Sequence, residues 1–352
     1  MAAQINPVIP NTTSSCVFIT HMQSMHIVGA MKNVTFSIEK NNEVIFTAKF
    51  VPDSKGEIHI HNLRDILENN IEGVFAHFTF IAKEDNVGPS TRKYSVFKSA
   101  VRVSETADEF LPSFFLTTLI NRKITQLKRY ETLSFYTENK CNVYVVASYF
   151  NDNNIYTKEI ELMSENDVKT RDINSVDVSP SRFVDDSIGN LTSFVVRAGE
   201  RSFSFYVDAT LPKSEPSIIF LNNFACWETM YLTGTVETEL ELKRSHAYID
   251  GSYRIYDIDE TELFKANSGI LLDGMINLGK DLARSKSVFL LDSMGVASDE
   301  IVITDSEIKY TNDDDAMPTF EYTYRRASLV SAMIHTIRPP KLFDKTFDTT
   351  FN

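Results

Sequence analysis

Two acidic runs offer the first groups that could do chemistry. They are Asp257, Asp259, Glu260 and Glu262 in YDIDETE, and Asp313, Asp314 and Asp315 in NDDDAMP. Two carboxylates flanking a glycosidic bond would be a glycosidase arrangement, and clustered carboxylate oxygens suit a hard cation. Neither run sets a working separation, and the second lacks the DxDxDG spacing of a calcium loop, so both read as solvated residues. His59 and His61 in IHIH stand two apart. On a strand they share a face and could both reach a metal, but no third ligand is identifiable nearby, so they read as surface histidines. Trp227, the single tryptophan, lies in FLNNFACWETMY with Phe224 and Tyr231. That trio could stack on a sugar ring, yet a lone tryptophan in a β domain more commonly anchors a core. Phe224, Trp227 and Tyr231 are therefore taken as core or subunit-interface residues.

No GxxxxGK[ST] or GxGxxG phosphate loop is present, and no GxSxG elbow or HExxH zinc helix. The sequence thus predicts no catalytic residue, no cofactor site and no metal site. It reads as a non-enzymatic protein.

The elements that would position any site follow from composition and periodicity. A chain of 352 residues has room for two or three domains, and 43% hydrophobic with 24% charged residues is ordinary globular composition. The net charge of −13 argues against a nucleic-acid partner, which needs a basic face. One basic run, NRKITQLKR at 121–129, reads as a solvated face beside a strand. Cys16, Cys141 and Cys226 form neither a disulfide framework nor a zinc set. The opening MAAQINPVIPNTTSSC has no basic start and no apolar core, so no secretory signal is expected. No stretch approaches the ~20 apolar residues of a membrane span. The expectation is a chain made as a soluble protein in a reducing compartment.

Alternation with period two recurs along the chain and marks half-buried strands. KNVTFSIEKNNEVIFTAKF (32–50) predicts a hairpin turning at Asn41-Asn42, with Val34, Phe36 and Ile38 facing Val44, Phe46 and Ala48. LTSFVVRAGERSFSFYVDATL (191–211) predicts another, with Phe203, Phe205 and Val207 on one face. EFLPSFFLTTLI (109–120) reads as a docking segment or linker, not as a helix. GTVETELELK places Val236, Thr238, Leu240 and Leu242 on an expected buried face. One helix is expected over 267–287, with Leu271, Met275, Leu278 and Leu282 on one stripe and Asn267 or Ser268 as its cap. The predicted fold class is mainly β: two or three antiparallel β-sandwich-like domains with one packed amphipathic helix near the C-terminus. The predicted divisions are 1–104, 105–212 and 213–338, with an extended arm at 339–352.

Four stretches form a distinctive set: FVPDSKGEIHIHNLRDIL, IIFLNNFACWET, ANSGILLDGMINLGKDLARSKSVFLL and VITDSEIKYTNDDDAMPTFEYTYR. In this order they resemble blocks of tail-region structural proteins of phages and prophages of Bacteroides-type gut bacteria. In that group the place of Ala225 is often glycine. The resemblance implies a virion subunit of the tail, tail hub, ring or baseplate, made in the host cytoplasm. Its partners would be other tail proteins and copies of itself, in a ring or a trimer. The alternative is a receptor-binding or adhesin module that recognises a host-surface glycan. On the first expectation NNFACWET is a strand-turn-strand corner whose Phe224 and Trp227 fill a core or a neighbouring subunit.

Overall fold

The computed structural model describes residues 3–8, 15–209, 217–231, 233–269, 271, 274–291, 295–309 and 319–328. The acidic run at 312–318 and the proposed arm at 339–352 lie outside these. The fold is mainly β, with sandwich-like units and few helices.

The first region holds β1 (Gln4–Ile5), β2 (Cys16–Phe18), β3 (Ser24–Val28), β4 (Val34–Lys40), β5 (Glu43–Phe50), β6 (Ile58–His61), α1 (Leu63–Glu68), β7 (Phe75–Glu84) and β8 (Ser90–Phe97). A five-stranded sheet in the order β2-β8-β7-β4-β5 and a three-stranded sheet β1-β3-β6 close over one core. Phe36, Phe78 and Phe80 from the first sheet meet Ile27, Ile58 and Ile60 from the second. The Asn41-Asn42 turn forms with both residues at positive φ, as asparagine tolerates. Val44, expected inside, is exposed. The register passes from Ile38↔Phe46 to Glu39↔Val44, so Ile45 is an extra residue and the bulge turns Val44 outward.

The second region holds α2 (Ala107–Ser113), β9 (Arg122–Thr125), β10 (Thr132–Thr137), β11 (Val143–Asn151), β12 (Asn154–Met163), β13 (Asp172–Asp177), β14 (Asn190–Ala198) and β15 (Arg201–Val207). Its five-stranded sheet runs β12-β11-β14-β15-β9, and β10 pairs with β13. Most pairings are antiparallel, but β15·β9 and β2·β8 are parallel. The 109–120 stretch does dock, burying Phe110, Leu111, Phe115 and Leu116. It also contributes to a helix, contrary to expectation. Thr106 and Glu109 form a capping box that starts α2 before the apolar residues begin.

The third region holds β16 (Ser217–Leu221), β17 (Trp227–Tyr231), β18 (Val236–Ile249), β19 (Ser252–Asn267), α3 (Ile276–Arg284), β20 (Val288–Leu291), β21 (Ala297–Lys309) and β22 (Thr319–Arg326). A seven-stranded sheet orders them β17-β16-β20-β21-β22-β19-β18. Helix α3 lies against it through Leu278 and Leu282, and Gly279 sits so close to Phe320 that a Cβ there would be 3.1 Å from the ring. The helix is shorter than the 267–287 expected. Asn267 ends β19, and Gly269 and Gly274 both hold positive φ, which an α-helix cannot pass through. Neither Asn267 nor Ser268 caps it; Met275 stands at its start. The apolar cores of the second and third regions form one contiguous cluster, from Phe135 and Phe203 through Ile218 to Tyr324.

Strands β18 and β19 depart furthest from the reading of one wet and one buried face. Strand β22 pairs with β19 only from Phe264 to Asn267. Beyond that point the two strands continue with no other partner among the described residues, paired with each other to Ile249↔Ser252. Every residue of 237–244 and of 252–260 is exposed, Leu240 and Leu242 included. At ~3.3 Å per residue this free ribbon projects roughly 35–40 Å.

Candidate functional site

The NNFACWET corner is a hairpin turn between β16 and β17, which pair from Ser217↔Tyr231 to Leu221↔Trp227. Asn222 builds the turn. Its Oδ1 accepts the N–H groups of Phe224 (3.0 Å) and Cys226 (3.1 Å), and its main chain exchanges bonds with Ala225 and Cys226. Such an Asx arrangement lets an asparagine stand in for a stretch of turn backbone. Ala225 completes the reversal in the left-handed region at φ 59°.

Side chains of the corner reach into three other segments. Asn222 Nδ2 donates to Leu116 O and to Glu228 Oε2, each at 2.7 Å. Asn223 accepts from Ala100 N and Val101 N, where the chain leaves the first region, and donates its own N–H to Asp281 of α3 at 3.2 Å. Thr117 Oγ1 donates to the other Glu228 oxygen (2.7 Å), and Thr118 Oγ1 to Asp281 (2.9 Å). One turn therefore fastens the first region, the α2 segment and α3 to the edge of the seven-stranded sheet.

Phe224 is buried in a small aromatic cluster with Phe18 of β2 and Phe110 of α2, ring centroids 5.8 and 5.2 Å away. Trp227 behaves differently. It is 43% exposed on the outer strand of the sheet and makes an edge-to-face contact with Phe289 at 5.9 Å. It is not a core anchor of this chain: it stands at the turn end of the edge strand β17, while Thr229 and Tyr231 on its own face are covered by Lys123, Glu131 and Arg129. Tyr231 is partly buried, its hydroxyl donating to Tyr130 O, with the Arg129 guanidinium 5.0 Å and Lys123 Nζ 5.6 Å from its ring centre. Burial pushes its phenol well above the ordinary range.

The basic run at 121–129 is not a solvated face. Lys123 and Arg129 are buried, because β9 runs in parallel beside β15 and turns Lys123 toward β17. Lys123 Nζ donates to Glu131 Oε2 (2.8 Å) and Thr229 O (2.6 Å), and Thr229 Oγ1 donates to the same carboxylate oxygen (2.8 Å). Arg129 Nη1 donates to Ser217 Oγ at 2.7 Å. Sequence reasoning missed this network, since its members come from β9, the loop between β9 and β10, β16 and β17 and share no local spacing.

Glu228 is the most perturbed carboxyl of the corner. Desolvation pushes it up to about 7, against the lowering effects of Lys123, Asn222 and Thr117. Asp281 is raised for the same first reason. A cleft of about 520 Å³ passes the corner, lined by Phe110, Phe114, Thr118, Asn223, Asp281 and Arg284 among others. Glu228 does not line it, so these two carboxyls do not face one another across a substrate space. The arrangement is suited to holding segments together. Asp257, Asp259, Glu260 and Glu262 lie along the exposed ribbon and not across a cleft.

His59 and His61 occupy exposed positions on one face of β6, as their spacing implied. Directly across the ladder from His59 lies His26 of β3, and Glu57 precedes β6. None of the three cysteines is in a disulfide.

No protein-family model and no curated protein matches this chain. Among solved structures it has a likeness to Escherichia coli alpha-2-macroglobulin activated by porcine elastase, at 8% identity and a TM-score of 0.22, covering 93% of this chain. The match spans 27% of that protein's length. Among the described residues no helix is long and apolar enough to cross a membrane.

Proposed function

We propose that this chain is a non-enzymatic structural subunit of a phage virion, placed in the tail, tail hub, ring or baseplate, where it works by self-assembly and contacts with other tail proteins. The β18–β19 ribbon carries this reading. A two-stranded ribbon alone in water is marginally stable, and this one exposes Leu240, Tyr248, Tyr253, Ile255, Tyr256 and Ile258 along its free length. Projecting apolar surface of this kind marks a contact made with something else. In a symmetric assembly each subunit would offer its ribbon and receive a neighbour's, which multiplies the contact. The four blocks that resemble phage tail-region proteins support the same reading, and one of them, NNFACWET, has the build of a fastening element.

The ribbon tip also supports a second reading, a receptor-binding module for surface glycan. Tyr248 and Tyr253 pair edge to face at 5.1 Å there, and Tyr253 is 78% exposed. Exposed aromatic faces of this sort can stack on sugar rings. Light scattering on a sizing column, with negative-stain images of the same peak, separates the two. A closed ring supports the tail-subunit reading. A compact trimer that binds on a glycan panel moves the assignment to the second reading, and a monomer at every concentration with no glycan bound contradicts both.

A further inference from the structure

The first region brings together three metal-binding side chains that the sequence scatters over two strands and a turn. His26 and His59 are register partners in the antiparallel β3·β6 ladder, and their rings stack with centroids 4.2 Å apart. Glu57 lies just before β6, and its Oε2 is 3.5 Å from His26 Nε2 and 3.8 Å from His59 Nε2. The three potential ligand atoms all fall within 4.8 Å of one another. We propose that His26, Glu57 and His59 bind a divalent transition-metal cation of the zinc class.

Distance, chemistry and hydrogen bonding each favour this. Zinc bonds of ~2.0–2.2 Å in a tetrahedron set ligand atoms about 3.3–3.6 Å apart, so both distances to the carboxylate are already near the required edge. Two imidazoles and one carboxylate form an N,N,O set that suits zinc, copper or nickel, whereas calcium and magnesium favour oxygen-only sites. His26 Nε2 is sealed from solvent and makes no hydrogen bond. A buried nitrogen with no hydrogen bond, facing a carboxylate oxygen at 3.5 Å, calls for an explanation, and a cation between it and Glu57 supplies one.

The surroundings hold the set in place. Glu57 N donates to Asp53 Oδ1 (2.9 Å), and Asp53 N donates back to Glu57 O (3.0 Å). Gly56, at φ 77°, accepts from Ala30 N, and a Cβ there would meet Ala30 O at 2.7 Å. The backbone carrying Glu57 is thus tightly seated. On the far side of His26, the Asn6 amide lies 3.4 Å from Nδ1. A half-turn of that amide presents Oδ1 to an Nδ1–H, the tautomer that leaves Nε2 to ligate.

Because the stacked rings point their nitrogens side by side, loading turns one imidazole out of the stack. His59, with 55% of its side chain exposed against 33% for His26, is the one free to move. Water completes the shell. The bound ion would pin the three-stranded sheet to the turn at 52–57, whether or not the chain assembles through its ribbon.

The test is zinc titration of the full-length untagged protein at neutral pH against a chromophoric chelator, with cobalt as a spectroscopic stand-in. One equivalent of Zn²⁺ per chain is expected, with tetrahedral cobalt absorption. Loss of an outer partner already weakens metal sites about 10–100-fold, so His59→Ala and Glu57→Gln should weaken binding by no less. Both positions are at least partly exposed, and circular dichroism checks that the variants fold. His61→Ala should bind as the wild type does. Absence of stoichiometric zinc binding would overturn the proposal, as would His59→Ala binding unchanged or His61→Ala losing as much as His59→Ala.

Discussion

Asn222 and Glu228 face each other across the mouth of the turn that joins β16 to β17, the amide Nδ2 donating to carboxylate Oε2 at 2.7 Å. The same asparagine builds the turn through Oδ1, and the same glutamate receives Thr117 through its other oxygen. With the neighbouring Asn223 bonded to Val101 and to Asp281 of α3, four segments share one polar junction.

That junction gives folding a pH dependence of defined sign. Burial pushes Glu228 up to about 7, whereas a glutamate in an unfolded chain titrates near ~4.3. Between these values the native state holds a proton that the unfolded state lacks. Its contribution is therefore complete below the unfolded value and lost as pH rises through about 7. The difference is worth roughly 4 kcal/mol at most, and Asp281, also raised by burial, acts in the same direction. Urea midpoints at pH 5 and pH 7.5 should fall with rising pH in the wild type and fall less in Glu228→Gln.

Lys123 and Glu131 form an ion pair with both side chains buried. Removing one member leaves a buried charge alone, which costs about 3–5 kcal/mol. Lys123→Met should be destabilised to that extent. Adding Glu131→Leu should recover most of the loss, and additive losses in a denaturant double-mutant cycle would exclude the coupling.

Phe224 and Trp227, three residues apart, should respond very differently to truncation. Phe224→Ala opens a cavity where three segments meet and should cost about 3–5 kcal/mol. Trp227→Ala loses chiefly an aromatic contact with Phe289, about 1 kcal/mol. As the single tryptophan, Trp227 also reports its own surroundings: its emission in the isolated chain should be red-shifted and open to iodide quenching.

Ala225 holds φ 59°, a region that costs a residue with a Cβ about 1–2 kcal/mol. Ala225→Gly should stabilise the fold by about 0.5–1 kcal/mol, the remainder being offset by the greater freedom of glycine in the unfolded chain. A urea midpoint lower than the wild type's would show that the turn is not under this strain.

Strand content was legible because alternation is a local property: Phe203 and Phe205, or Phe320, Tyr322 and Tyr324, announce a buried face whatever lies opposite. Helix α3 was legible in its stripe and not in its start, since its boundary is set by Gly269 and Gly274 and not by apolar spacing. Lys123 and Arg129 looked like solvent residues because the sequence cannot show that β9 joins β15 in parallel and carries Lys123 inward, or that the loop after it brings Arg129 to Ser217 of β16. Trp227 looked like a core residue because rarity and aromaticity carry no information on whether a residue falls at the uncovered end of an edge strand. Leu240 and Leu242 alternate as a buried face would, but burial needs a covering element, and β22 ends its pairing with β19 before reaching them. The His26–Glu57–His59 group was half visible in EIHIH, where Glu57 stands two residues before His59; His26 becomes their neighbour only through the β3·β6 ladder.

The ribbon is the central claim, and amide hydrogen exchange tests it most directly. Peptides covering 238–262 should exchange rapidly in dilute chain, where two strands stand alone, and become protected in the assembled peak at matched pH and temperature. A ribbon that exchanges as fast in the assembly as in the isolated chain would contradict its role as the joining element.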